Sequence, residues 1–363
     1  MSPSEMGEAR ALLRRSRRII VKIGSKSLTG DAFARLATDV SQAIANKRRV
    51  IIVSSGAIAL GFARLGLQAR PKDMPSLQAS AAAGQSVLMQ KWESAFAPLD
   101  RIVAQVLLTH ADLADRVRTN NAREALAVLI DAGAIPIINE NDAVSVEEIK
   151  FGDNDQLASM VVPLCDADTL LLLSDVDGLL DANGERVPFV RSIAKEARPL
   201  AGASRSGVGT GGMLSKIEAA RRATLAGASV VIASAREPGI VARVLAGEDL
   251  GTLFPAFPRR LGARKHWIAF TLRPRGALVL DRGAAEAIAA KNRSILAVGV
   301  LGVRGSFAVG DSVSVVDPDG REIARGLTRF SAVDAARIAG KRSEARPSEE
   351  LIHKDDLVLL PEE

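Results

Sequence analysis

The sequence predicts an α/β protein: a mostly parallel sheet with helices on both faces, followed by a small β-rich module. Three observations predict it. Short, continuous apolar runs of the kind that parallel sheets bury on both faces alternate with stretches of helical periodicity, the pattern of βα units. Several of these runs end in Ser/Gly or Asp/Gly turns, and in open α/β sheets ligands bind at the carboxyl ends of the strands. Past residue 266 the pattern changes to short runs separated by glycines, which reads as a compact β module.

The first run, Arg18-Ile-Ile-Val-Lys-Ile-Gly-Ser-Lys-Ser27, passes from a strand into a glycine turn. Lys22 is its odd residue, since lysine is rarely buried without a partner. Either it faces solvent on an edge strand, or it stands beside a turn whose N–H groups and hydroxyl receive a phosphate. Asp31–Asn46 reads as a helix and Arg49–Val53 as the next strand, ending in Ser54-Ser-Gly-Ala57. Ile58–Leu65 reads as helical, so this second Ser/Gly turn lies at a helix N-terminus, where anions are favoured. Ser76–Phe96 is an Ala-rich helix containing Gly84-Gln85, Arg101–Leu108 a strand, and Arg118–Asp131 a helix leading into the strand Ala134–Ile138.

Carboxylates and carboxamides then crowd together in Ile138-Asn-Glu-Asn-Asp142 and Lys150-Phe-Gly-Asp-Asn-Asp155. Polar groups packed against a core strand are costly unless a cation or hydrogen-bonding partner meets them. We therefore read Asn139–Asp155 as the floor of an active site; the alternative is a solvated polar loop. Gln156–Leu164 reads as a helix and Thr169–Leu173 as a strand ending in Ser174-Asp-Val-Asp-Gly178. Next come Gly207-Val-Gly-Thr-Gly-Gly-Met-Leu-Ser-Lys216, a helical stretch Ile217–Ala226 and a strand Ser229–Ala233. The glycines leave backbone amides accessible, and Lys216 stands at the helix start, where its ammonium suits a phosphate. The spacing is not that of a Walker A motif.

A chain of 363 residues is long enough for two domains, and a mean hydropathy of +0.13 supports a sizeable core. One cysteine, Cys165, excludes an internal disulfide framework and points to a reducing compartment. His110, His266 and His353 are far apart, so no Cys/His metal site is written in the sequence. The apolar stretch Ile19–Ile23 is too short for a signal-peptide core, and no run reaches the ~18 residues of a membrane span. A cytoplasmic protein without membrane association is expected. The net charge of +6 allows an RNA or polyphosphate partner without selecting one. Residues 255–266 read as a linker, and the basic segment 251–293 lies at the junction of the two parts.

Val21-Lys-Ile-Gly-Ser25, Ser54-Ser-Gly-Ala57, Asn139-Glu-Asn-Asp142, Gly152-Asp-Asn-Asp155, Ser174-Asp175 and Gly209-Thr-Gly-Gly-Met-Leu-Ser-Lys216 resemble, in order, the motifs of the glutamate 5-kinases within the amino acid kinase superfamily. Lys265-His-Trp-Ile268, Pro274-Arg-Gly276, Asp281-Arg-Gly283 and Ala324-Arg-Gly-Leu327 are similar to the PUA domain that bacterial members often carry. The resemblance implies a three-layer αβα sandwich over residues 15–255 and a β-rich PUA-like barrel over 265–350. It implies transfer of the ATP γ-phosphoryl group to the γ-carboxylate of L-glutamate, with Mg²⁺, as the first step of proline biosynthesis. Lys22 and Lys216 would hold phosphates and Asp155 would position them. Ser55, Asp142 and Asn154 would bind glutamate. Gly24, Ser174, Asp175 and the run Thr210, Gly211, Gly212, Met213, Leu214, Ser215 and Lys216 would contact the nucleotide. No residue is expected to ligate a metal directly. Ser25 and Ser174 stand where the family often has Thr, and each keeps the hydroxyl. The resemblance also implies feedback inhibition by proline, a homo-oligomer (dimer or tetramer) and association with glutamyl phosphate reductase.

The chemistry is compatible with these residues. A glutamate carboxylate, with a reference pKa near ~4.3, is already ionised at neutral pH, so no general base is needed. The difficulty is to bring one anion against another, which calls for fixed cations and helix N-termini. Two competing readings are another amino acid kinase (acetylglutamate, aspartate or uridylate kinase) and an RNA-binding protein acting through the PUA-like module. The second is weakened by the scarcity of aromatic residues for base stacking.

Overall fold

The computed structural model describes residues 3–145, 154–202, 212–258, 260–291, 293–341 and 350–360. The chain forms two compact units, Met1–Arg260 and Leu261–Glu363.

The first unit is built on a seven-stranded sheet: β1 (Arg18–Ile23), β2 (Arg49–Ser54), β3 (Val103–Leu108), β4 (Ile135–Glu140), β5 (Thr169–Ser174), β6 (Ser229–Ser234) and β7 (Thr252–Phe254). The strand order is β3-β4-β2-β1-β5-β6-β7, parallel throughout except for the short antiparallel β7. The strands are rich in Val, Ile and Leu, and alternate residues pack on opposite faces, as a period of two dictates. Ile20, Ile51, Leu170, Leu172, Val230 and Ile232 belong to one core. They meet Leu126, Leu157, Val161 and Ile217 from the helices Arg116–Asp131, Asn154–Cys165 and Met213–Ala226. Ile19, Val21, Val50, Ile52, Leu171 and Val231 belong to the other core, under the helices Ala32–Ala45 and Met74–Phe96. Trp92 anchors this second layer: it is fully buried, with its ring edge-on to Phe33 at 4.8 Å and its indole N–H donating to Ser54 Oγ at 2.9 Å. The expected three-layer αβα arrangement is therefore observed.

Several elements differ from the sequence reading. Lys22 does not lie on an edge: β1 is flanked by β2 and β5, in the middle of the sheet. β4 continues past Ile138 to Glu140, because Leu107 and Leu108 of β3 pair with Asn139 and Glu140. The helix expected from Gln156 starts at Asn154 and the one expected from Ile217 starts at Met213, so both carry polar site candidates in their first turns. The stretch expected as one helix over Ile58–Leu65 is a short helix, Ala57–Gly61, and a separate 3₁₀ turn, Ala63–Leu65. A helix at Pro3–Leu13, which the sequence reading did not anticipate, is tied down by Arg10. Its buried guanidinium donates to the carbonyls of Pro188, Glu248, Leu250 and Gly251.

The second unit contains a mixed five-stranded sheet in the order β10-β8-β11-β12-β14 and a two-stranded pair, β13-β9. These strands are β8 (Gly276–Leu280), β9 (Ile295–Leu296), β10 (Val300–Gly305), β11 (Ser312–Val316), β12 (Glu322–Leu327), β13 (Glu350–Ile352) and β14 (Leu357–Leu359). Its own core gathers Leu278, Leu280, Val313, Val315, Ala324 and Leu357. Between β9 and β10 the chain makes a 3₁₀ turn at Ala297–Gly299. A turn at 317–320 places Gly320 at φ 84°, with the Asp317 carboxylate accepting from the N–H groups of Asp319 and Arg321. The expected linker 255–266 is shorter than that stretch, since Ala263–His266 is helical and His266 is fully buried in this unit. Among the described residues, no helix is long and apolar enough to cross a membrane.

Candidate active site

β1 lies where the chain's connections diverge, toward β2 on one side and β5 on the other, which is the position of the binding crevice in an open parallel sheet. Within β1, Lys22 shares the face of Ile20. It therefore points toward the layer that carries the helices beginning at Asn154 and Met213. Those helices supply its partners. Lys22 Nζ lies 2.6 Å from Asp155 Oδ1, and Lys216 Nζ donates to Asp155 Oδ2 at 3.0 Å. The Asp155 side chain is 1% exposed and each lysine side chain 8%. Burial by itself would push the Asp155 carboxyl up, but the two ammonium groups more than offset it and hold the carboxyl below the usual carboxylate range. The cluster of two cations and one anion keeps one net positive charge.

Next to it run the two glycine turns. Gly24 has an extended backbone, φ −73°, and a Cβ there would meet Leu173 O and Lys22 Nζ only at ordinary contact distances of 3.7 and 3.9 Å. Neighbouring atoms therefore do not demand glycine; its absent side chain leaves open the space before the Lys22 ammonium. Gly56 is different. At φ 115° it caps the helix Ala57–Gly61 in the left-handed region, where a side chain is strained.

Ser55 follows β2, with its N–H on Ile23 O at 3.1 Å. Asn154 Nδ2 donates to Ser55 Oγ at 2.9 Å, to Asn139 Oδ1 at 2.9 Å and, more weakly, to Ser54 O at 3.3 Å. Asp142 sits half-buried in the turn after β4, at the same carboxyl edge. Ser174, the last residue of β5, donates from Oγ to Asp175 Oδ1 at 3.0 Å. Burial would raise the Asp175 carboxyl; its own N–H, the Ser174 hydroxyl and the ammonium groups of Lys26 and Lys216 outweigh that and hold it low. Gly212 caps the helix Met213–Ala226, whose first turn carries Met213, Leu214, Ser215 and Lys216. Ser215 O accepts from Gln156 Nε2 at 3.5 Å. Thr210 and Gly211, together with Gly152 and Asp153, lie outside the described residues.

The sequence reading missed two groups. Lys26 stands in the 3₁₀ turn Ser25–Ser27, its exposed ammonium 3.7 Å from Asp175 Oδ2; its signal was a lysine two residues beyond the glycine that ends β1. Gln85 is the other: it forms the buried back wall with Asn139, already read as part of the site floor, whose Nδ2 donates to Gln85 Oε1 at 2.8 Å. Cys165 is no candidate nucleophile, because burial pushes its thiol up to about 12. Among the described residues, no three carboxylate, histidine or cysteine groups gather as a metal cluster.

The amino acid kinase family profile matches residues 17–234, and the PUA domain profile residues 276–346. Glutamate 5-kinase of Myxococcus xanthus is 47% identical, over 98% of this chain and 100% of its own length. Those of Syntrophotalea carbinolica and Burkholderia ambifaria are 42% and 44% identical, over 96% and 97% of this chain and 98% and 100% of their own. Among solved structures, N-acetylglutamate synthase from Neisseria gonorrhoeae, complexed with coenzyme A and N-acetyl-glutamate, has a TM-score of 0.52 at 19% identity. That match spans 70% of this chain and 64% of the synthase, and at this identity it supports the fold alone. The likeness to glutamate 5-kinases runs through both units and leaves the acetylglutamate and aspartate kinase alternatives, and a purely RNA-binding one, unfavoured: the chain belongs to the glutamate 5-kinase family of ATP-dependent amino acid kinases.

Proposed function

We propose that this site joins the γ-carboxylate of L-glutamate to the γ-phosphoryl group of ATP, giving γ-glutamyl phosphate and ADP. The observation that carries the reading is the buried Lys22–Asp155–Lys216 cluster, two ammonium groups tethered by one carboxylate at the carboxyl edge of the sheet. An oxygen of the glutamate carboxylate attacks the γ-phosphorus, and the bond to the β–γ bridging oxygen breaks with its electron pair going to ADP. No proton has to be moved. The chain's task is positioning and charge: Lys22 and Lys216 offset the negative charge on the phosphoryl oxygens in a place poor in water. The N-terminal turn of the helix Met213–Ala226 adds backbone N–H groups and the positive end of its dipole.

In this reading Ser55, Asp142 and Asn154 hold the amino-acid end of glutamate. Ser174, Asp175, Gly24 and residues 210–216 face the nucleotide, and Lys26 is added to that set. Residues 15–255 act as the kinase domain and 265–350 as the PUA domain. Mg²⁺, when bound with the triphosphate, would supply charge neutralisation there. The donor set favours that route, because the best-buried carboxylate, Asp155, is already engaged by two lysines. The test is to incubate the purified protein with Mg-ATP, hydroxylamine and L-glutamate, aspartate or N-acetylglutamate. γ-Glutamyl hydroxamate with glutamate alone is the expected result; product with another acid only would move the substrate, and no product with any would remove the kinase assignment.

A further inference from the structure

The carboxamides behind the site form a directed relay that crosses the sheet. Gln85 comes from the helix Met74–Phe96 on one face, Asn139 from the end of β4, and Asn154 from the first turn of the helix on the other face. Asn139 and Asn154 are 2% and 8% exposed and Gln85 9%, so water cannot freely exchange with their hydrogen bonds. An amide side chain can be turned over to swap its donor and acceptor ends, and hydrogen-bond partners decide which way it faces. Here one partner has no such freedom. The Ser54 backbone carbonyl can only accept, so it fixes the NH₂ end of Asn154 toward Ser54, Ser55 and Asn139. Asn139 must then offer Oδ1 to Asn154 and its NH₂ to Gln85, and Gln85 must answer with Oε1.

From this geometry we infer that Gln85 is a positioning residue for recognition of the substrate's amino-acid end, a role that rests on the glutamate kinase reading above. By accepting from Asn139 it holds the relay in one polarity. That polarity turns Asn154 Oδ1, an acceptor, away from the relay, and leaves the Ser55 hydroxyl, which already accepts from Asn154, free to donate. An acceptor for an ammonium beside a donor for a carboxylate is the pair that an α-amino acid requires. Gln85 contributes only its oxygen: its buried Nε2 has no acceptor among the described residues. A buried orphan donor is costly, so its retention is consistent with selection for the other end of the amide.

The test uses Gln85→Met, which keeps the length and removes the acceptor, and Gln85→Glu, which keeps an oxygen acceptor in either protonation state. Both are assayed against L-glutamate and glutarate, which lacks only the α-ammonium group. With Gln85→Met the glutamate KM should rise about tenfold, the size of one lost hydrogen bond, with kcat and the ATP KM nearly unchanged. The preference for glutamate over glutarate should fall by a similar factor. Gln85→Glu should keep both near wild type, and this holds as a test even if Gln85→Met does not fold. An unchanged KM and preference in a folded Gln85→Met protein, or a defect in Gln85→Glu as large as in Gln85→Met, would overturn the inference. A wild-type protein giving no hydroxamate with glutamate would instead fail the kinase reading, and the relay's role with it.

Discussion

Lys22 Nζ and Asp155 Oδ1 lie 2.6 Å apart, joining the central strand of the sheet to the first turn of a helix, and both side chains are almost wholly buried. Breaking a buried ion pair from one side leaves an uncompensated charge, at a cost of about 3–5 kcal/mol. Asp155→Asn should therefore lower stability as well as activity, with kcat falling about 10²-fold or more, on the scale of losing a preorganised charge contact. The pH dependence gives an independent check. The folded carboxyl titrates below its unfolded value of about 3.9. Its contribution to stability is present above that value and is lost as pH falls through the folded pKa. Thermal melts of wild type and Asp155→Asn should thus differ most near neutrality and converge under acid. A gap that stays constant down to the acid limit would remove the ion pair as its cause.

Lys216 shares Asp155 with Lys22 but enters from the first turn of another helix, so its removal leaves one cation in place. Lys216→Ala should lower kcat by about 10²-fold or more, as for loss of one oxyanion donor, with the glutamate KM little changed. Steady-state kinetics in both substrates reads this directly. A defect confined to the glutamate KM would count against a phosphate-facing role.

Asp142 stands half-buried in the turn after β4, and under the proposed function it meets the amino-acid end of glutamate. A hydrogen bond to a charged partner contributes about 1.5–3 kcal/mol. Asp142→Ala should therefore raise the glutamate KM about 10- to 100-fold and leave the ATP KM nearly unchanged. Unaltered glutamate saturation would take Asp142 out of the substrate site.

What could be read from the sequence, and what could not, follows from how far each signal reaches. The parallel sheet was legible because continuous Val, Ile and Leu runs such as Arg49–Val53 are a local signature of strands buried on both faces. The position of Lys22 was not, since strand order depends on crossovers that no local pattern records; only the neighbours β2 and β5 turn an odd lysine into a buried one. The strand was ended at Ile138 because Asn-Glu-Asn-Asp has turn composition, whereas pairing with β3 carries it two residues further. Gln85 was hidden for another reason. In an Ala-rich helix nearly every side is weakly apolar, so periodicity does not reveal which residue faces the site.

What brings Gln85 within reach of Asn139 is a close helix crossing. Gly84 in the helix Met74–Phe96 and Gly61 in the helix Ala57–Gly61 meet so tightly that a Cβ on Gly84 would overlap the backbone carbonyl of Ala57, and one on Gly61 that of Ser80. Neither clash involves a flexible side chain that could swing away. Gly84→Ala must therefore push the two helices apart, although alanine is otherwise the better helix former by about 1 kcal/mol. Overpacking of this kind costs about 1–3 kcal/mol, so the melting temperature should drop by several degrees, about 2–4 °C per kcal/mol for a domain of this size. Because Gln85 is the next residue and Ser55 lies just ahead of the other helix, the same displacement loosens the relay and the serine it orients. The glutamate KM of Gly84→Ala should rise while the ATP KM, which the proposed site assigns to turns on β1, β5 and the helix Met213–Ala226, stays nearly constant. A melting temperature equal to or above wild type would show that the two helices do not meet in this way.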